Sequence, residues 1–125
     1  MTTFPADLLY TSDHEWVRVT GGLARVGVTA HATEALGDIV YASLPTVGAS
    51  VSSGDACAEV ESTKAVSAVY APVPGVVAAV NEATVDAPEV IGADPYGEGW
   101  LFELEFDGDV SALMDAQAYE ALAAQ

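Results

Sequence analysis

The sequence predicts a mainly β domain, a sandwich or small barrel, carrying a short helix near 31–37 and a C-terminal helix. Apolar runs of six or seven residues recur at close spacing, residues that set turn dihedrals separate them, and only two stretches show helical character. The 125 residues match the size of a single core, so one domain spanning 1–125 is expected.

The runs are EWVRVT (15–20), LARVGVT (23–29), DIVYASL (38–44), ACAEVE (56–61), AVSAVYA (65–71), GVVAAV (75–80) and WLFELEF (100–106). Between them fall GG at 21–22, PTVG at 45–48, SSGD at 52–55 and PVPG at 72–75, all suited to turns. HATEALG (31–37) reads as a short helix with Gly37 as its C-cap. In SALMDAQAYEALAAQ (111–125), Leu113, Ala116, Tyr119 and Leu122 recur every third residue, which predicts an amphipathic helix lying across the β core.

Three basic residues stand against 19 acidic ones, for a net charge of −16, while 51% apolar content and a mean hydropathy of +0.32 exclude a disordered acidic tail. Such a charge repels phosphate backbones and anionic lipid surfaces, so neither nucleic acid nor membrane is expected as a partner. It steers the chain toward proteins with basic docking faces. Cys57 is alone, forms no intrachain disulfide, and is expected to pack as a small buried hydrophobe in a reducing compartment. The opening MTTFPADLLYTSDHEW has neither a secretion signal's basic and apolar regions nor a transit peptide's arginines, and a cytoplasmic, bacterial location is expected.

Within VESTKAVSAVYAPVPG (60–75) lies the chain's only lysine, Lys64. Two β runs flank Ser62, Thr63 and Lys64, which places Lys64 at or beside the tip of an antiparallel hairpin. Alternation then sets Cys57, Glu59 and Glu61 on one face and Ala58 and Val60 on the other, giving an acidic shoulder beside the tip. An unperturbed lysine, with a pKa near ~10.4, is a weak nucleophile at neutral pH. An exposed lysine on a fixed protrusion is instead suited to being acylated, after which the attached group is the reactive part and the net charge falls from −16 to −17.

VESTKAVSAVYAPVPGVV resembles the lipoyl-attachment hairpin of the glycine cleavage system H proteins, with Glu61, Ser62, Thr63, Ala65 and Ser67 supporting the modified Lys64. YTSDHEWVRV (10–19), VGVTAHATEALGDIVYASLPTVG (26–48) and DPYGEGWLFELE (94–105) resemble that family's other signature stretches, in the same order. The chain departs from the pattern at Gly92, where Asn is usual, and at Val66, where a smaller residue is usual.

The resemblance implies a barrel-sandwich hybrid of the lipoyl and biotinyl type, with lipoic acid in amide linkage on Lys64. It implies a carrier that is not an enzyme. Glycine decarboxylase (P protein) would load it with the aminomethyl group of glycine, the tetrahydrofolate-dependent aminomethyltransferase (T protein) would unload it, and dihydrolipoyl dehydrogenase (L protein) would reoxidise it. Lipoate-attaching enzymes are further partners, and a body that docks on several enzymes in turn is expected to be a monomer. Glu15, in the HEW stretch, is a candidate cleft residue that would pair the carried amine.

A lipoyl relay or storage protein for other dehydrogenase complexes and a biotin carrier are the alternatives. Biotin hairpins bracket the lysine with Met, however, where this chain has Thr63 and Ala65. His14 and His31 lack Cys or carboxylate partners at metal-site spacing and are expected to be structural. DPYGEGW lacks the Lys and Ser/Thr of a phosphate loop and is expected to be a turn leading Trp100 into the core. No catalytic triad is apparent.

Overall fold

The computed structural model describes residues 4–124. The first three residues of the opening stretch, and Gln125 at the end of the expected C-terminal helix, lie outside the described residues. In chain order the elements are β1 (Leu9–Tyr10), β2 (Glu15–Thr20), β3 (Leu23–Val28), α1 (Ala30–Leu36), β4 (Ile39–Ser43), β5 (Ser50–Val51), β6 (Ala56–Ser62), β7 (Val66–Tyr70), β8 (Gly75–Val80), α2 (Ala83–Asp86), α3 (Glu89–Ala93), β9 (Phe102–Glu105) and α4 (Ala116–Ala123). The mainly β fold with a short helix and a C-terminal helix is thus the one the sequence predicts.

Two antiparallel sheets form, one of six strands in the order β1-β2-β3-β9-β8-β5 and one of three in the order β4-β6-β7. The main core lies between them: Val17, Ala24, Val26, Val77 and Leu104 come from the larger sheet, and Ala42, Ala58, Val60 and Val69 from the smaller. The β2–β3 connection is Gly21-Gly22, with Gly21 at φ +62, a left-handed conformation that glycine adopts without strain. In β6 the alternation holds as expected, with Ala58 and Val60 buried and Cys57, Glu59 and Glu61 half-buried.

Three expectations are corrected. The C-terminal helix begins at Ala116, because the Asp115 side chain accepts the Ala118 N–H and caps it there. The preceding Met114 pairs with Tyr10 as an isolated bridge. This helix packs on a second, aromatic cluster of Phe4, Leu8, Tyr10, Trp16 and Tyr119, where the Tyr10 and Tyr119 rings stack with centroids 4.7 Å apart. Trp100 stays half-buried at the surface, its ring covered by the Arg25 guanidinium 4.4 Å from the centroid, and it is Leu101 and Phe102 that enter the core. Cys57 is half-buried at the edge of the main core, with Sγ 3.7 Å from the Val69 carbonyl and its thiol pushed by burial up to about 11.

Among the described residues no helix is long and apolar enough to cross a membrane. Nor do the described residues bring three or more His, Cys, Asp or Glu together as a metal site requires.

Candidate functional site

Lys64 lies in the three-residue connection between β6 and β7, exposed together with Thr63, Ala65 and Val66. The turn has no Asn-Gly or Asp-Gly pair, and Ser62 supplies the chemistry instead. Its backbone N–H donates to the Ala65 carbonyl at 2.8 Å, while its buried Oγ accepts the N–H groups of Lys64 at 3.2 Å and Ala65 at 3.1 Å. A serine hydroxyl bonding the amides two and three residues ahead substitutes for backbone turn geometry. The peptide on both sides of Lys64 is therefore held while the residue itself stays exposed.

Neighbouring strands brace the tip. Glu61 pairs with Tyr41 on one side and Val66 on the other, and Val60 pairs with Ser67. A bulge between Ile39 and Tyr41 interrupts the alternation of β4, so Val40 and Tyr41 are 53% and 48% exposed, and Val66 is 60% exposed. Paired residues share a face, so Tyr41, Glu61 and Val66 make a row beside the lysine, apolar at its ends and acidic at its middle. Gly37, at φ +83, caps α1, and a Cβ there would stand 3.7 Å from Lys64 Cε. A cavity of about 350 Å³ opens at that point, lined by Glu34, Asp38, Ile39 and Glu89 among others.

Glu15 sits at the other end of the hairpin. It is only 1% exposed, its Oε1 accepts the Thr11 hydroxyl at 3.0 Å, and its Oε2 accepts the Tyr70 N–H at 2.7 Å. β7 is an edge strand, so the carboxylate satisfies an amide that has no strand beside it. Burial pushes the carboxyl up to about 7, against the pull of the Tyr70 and Thr11 hydrogen bonds, with Asp13 adding to the rise. Glu15, Thr11, Asp13, Tyr70 and Leu113 line a cavity of about 170 Å³.

The same turn holds His14 at φ +67, where its Nδ1 shares a 2.7 Å hydrogen bond with the Tyr119 hydroxyl. That hydroxyl also bonds the side chain of Thr29, the N-cap of α1, at 2.8 Å, and the His31 ring lies 4.5 Å from His14 by centroid. Both histidines thus tie the Thr11–Glu15 turn to α1 and α4.

A family model described as glycine cleavage H-protein matches residues 8–125. The chain belongs to the glycine cleavage H-protein family. It is 54% identical over 125 residues to the glycine cleavage system H protein of Corynebacterium jeikeium (strain K411), covering 97% of this chain and 98% of that one. With the protein of the same name from Thermobifida fusca (strain YX), identity is 52% over 118 residues, 94% of either chain. The crystal structure of a glycine cleavage system H protein from Mycobacterium marinum is similar throughout, with a TM-score of 0.89 and 45% identity, covering 98% of this chain and all of that one.

The family fold brings Lys64, Glu61, Ser62, Thr63, Ala65 and Ser67 onto one hairpin, and sets Glu15 at that hairpin's base instead of at its tip. Sequence reading missed Gly37, Val40 and Tyr41 as neighbours of the lysine. The turn signal at Gly37 was visible, but its nearness to Lys64 arises only when β4 pairs with β6.

Proposed function

We propose that residues 1–125 form one carrier domain bearing lipoate on Lys64, and that it ferries the aminomethyl group of glycine from glycine decarboxylase (P protein) to the aminomethyltransferase (T protein) before reoxidation by dihydrolipoyl dehydrogenase (L protein). The observation that supports this most is the exposure of the only lysine of a family member on a tip whose flanking amides Ser62 holds. An acylating enzyme needs an amine it can surround and a peptide that stays still while it does so. Both needs are met here, so the residues present fit the group.

When bound, lipoate supplies a disulfide that takes up a one-carbon amine and is restored by oxidation of its dithiol. The chain itself supplies position. Tethering raises the local concentration of the carried group wherever the body docks. In this reading Lys64 is the attachment point, Ser62 fixes the turn, and Thr63 and Ala65 leave the approach open. Glu61 and Ser67 hold the two strands in register through their cross-strand partners.

Glu15 is read as the partner of the carried amine. The four steps from Val66 to Tyr70 span roughly 13 Å of strand, and a lipoyl arm on Lys64 would reach a comparable roughly 14 Å, about four extended residues. A cation arriving at Glu15 would favour the ionised carboxylate that burial disfavours. The row of Tyr41, Glu61 and Val66, with the carboxylates of Glu34, Asp38 and Glu89 nearby, offers basic partners an acidic face with apolar anchors.

Intact mass after expression with a lipoate-attaching enzyme tests the assignment. The expected result is one lipoyl group on the native chain and none on a folded Lys64→Arg variant. A biotinyl group instead would select a carboxylase carrier, and an unmodified native chain would end the carrier reading. With the lipoyl chain in hand, failure to accept the aminomethyl group from its own organism's decarboxylase would favour a relay or storage role.

A further inference from the structure

We propose that β2 and β3 carry an oxyanion-binding site, built from Arg18 and Arg25 and matched to a phosphate group on a small molecule. Beyond Lys64 these are the chain's only lysine or arginine side chains, and they are directly opposite each other in the β2–β3 register. Residues so paired hold their Cβ atoms about 4.5–5.5 Å apart, and like charges there repel. A chain with 19 acidic residues has abundant carboxylates for pairing its arginines singly, and this one sets them side by side.

Their surroundings keep the guanidiniums available. Arg25 gives only its Nε to Glu103, at 2.8 Å, and Glu103 thereby fixes the plane of the fork. Arg18 has no hydrogen-bond or carboxylate partner among the described residues; its guanidinium lies over the Trp16 ring, 5.7 Å from the centroid. Arg25 lies over Trp100 in the same manner. Stacking on an aromatic face orients a guanidinium without consuming its N–H donors.

Both arginines, Thr20, Leu23 and Glu103 enclose a cavity of about 270 Å³. This is slightly below the roughly 300–1,000 Å³ typical of pockets for drug-sized ligands, so it suits a phosphate or a small phosphate ester. Glu103 is the one carboxylate in the lining; Glu105 stands one pleat further along β9, opposite Leu23. Two forks can each offer paired N–H donors to one tetrahedral anion, and the Thr20 hydroxyl is a further donor at the rim. The carboxylate of an acidic side chain shares this chemistry but presents two oxygens instead of a tetrahedral set.

The site is separate from the Lys64 hairpin, so its test is independent of the carrier reading. The full ¹⁵N-labelled chain is titrated with inorganic phosphate, and in a parallel arm with acetate, at fixed pH and ionic strength. The Arg Nε–Hε resonances and tryptophan fluorescence report on binding, since the only two tryptophans lie under the two guanidiniums. Saturable shifts of both arginines with phosphate are expected, weakened roughly tenfold or more in Arg18→Gln and partly restored in Arg18→Lys, which keeps the charge but loses the fork. Tighter saturation by phosphate than by acetate supports the phosphate assignment, and the reverse would overturn it in favour of a carboxylate-bearing ligand. Linear, non-saturating shifts in both arms, or equal affinities in native chain and folded Arg18→Gln, would overturn the site.

Discussion

At Glu15 a carboxyl group is buried with two hydrogen-bond donors but no cation. Its folded-state pKa, about 7, lies above the ordinary glutamate value of 4.5. Between those values the folded chain holds a proton that the unfolded chain has released, so Glu15 makes stability fall as pH rises through this window. The shift corresponds to a penalty of about 3 kcal/mol on the ionised form. Glu15→Gln keeps an acceptor for the Tyr70 N–H and does not titrate. Denaturant unfolding from pH 4 to 8 should therefore show the native chain losing up to about 3 kcal/mol relative to the variant. A stability difference that stays constant across that range would contradict a buried, proton-binding Glu15. The proposed pairing of Glu15 with the carried amine has its own measurement, because hydrolysis of the loaded form should then be faster in Glu15→Gln. Equal half-lives would confine the residue to capping the β7 edge.

Two hairpins depend on single residues. In the β6–β7 hairpin, Ser62→Ala removes the acceptor of two turn amides, and because the tip is open to water the expected cost is about 1 kcal/mol. The more telling expectation is that acylation of Lys64 slows while thermal unfolding barely moves; an unchanged rate would show that turn order is irrelevant to the acylating enzyme. In the β2–β3 hairpin, Gly27 faces Trp16, and a Cβ there would lie 2.6 Å from the indole atoms Cε2, Cζ2 and Nε1. Gly27→Ala should destabilise by roughly 1–3 kcal/mol, since the indole must shift and loosen its 2.8 Å bond to the Pro95 carbonyl. A lowered melting temperature with altered near-ultraviolet tryptophan dichroism is the expected signature.

Element identity was legible wherever apolar periodicity was strong, as in β2, β3, β6 and β8. The two-residue strands β1 and β5 and the one-turn helices α2 and α3 were not, because each is too short to show a period and exists through its partners. The helical spacing of Leu113 predicts a longer α4, yet Met114 pairs with Tyr10 and Asp115 caps the turn that follows.

Across the whole molecule the net charge of −16 shapes encounter more than it shapes the fold. Association with basic-faced partners should slow as salt rises, since screening at physiological ionic strength cuts off interactions beyond about 8 Å. Glu61→Gln should flatten that salt dependence, whereas Tyr41→Ala should mainly speed dissociation by removing an apolar anchor. Stopped-flow rates across a salt series separate the two, and identical slopes in native chain and Glu61→Gln would remove the acidic face from docking.

By itself the sequence determined the fold class, the hairpin and the singular status of Lys64, because strand alternation, turn residues and the scarcity of basic groups are local or compositional facts. Tertiary structure alone decided what surrounds those features: the approach of Gly37 to the lysine, the burial of Glu15 against an edge amide, and the pairing of Arg18 with Arg25 above two tryptophans. Each joins residues through strand register or sheet packing, and register is fixed by burying one face of every strand at once, a condition that no single segment carries.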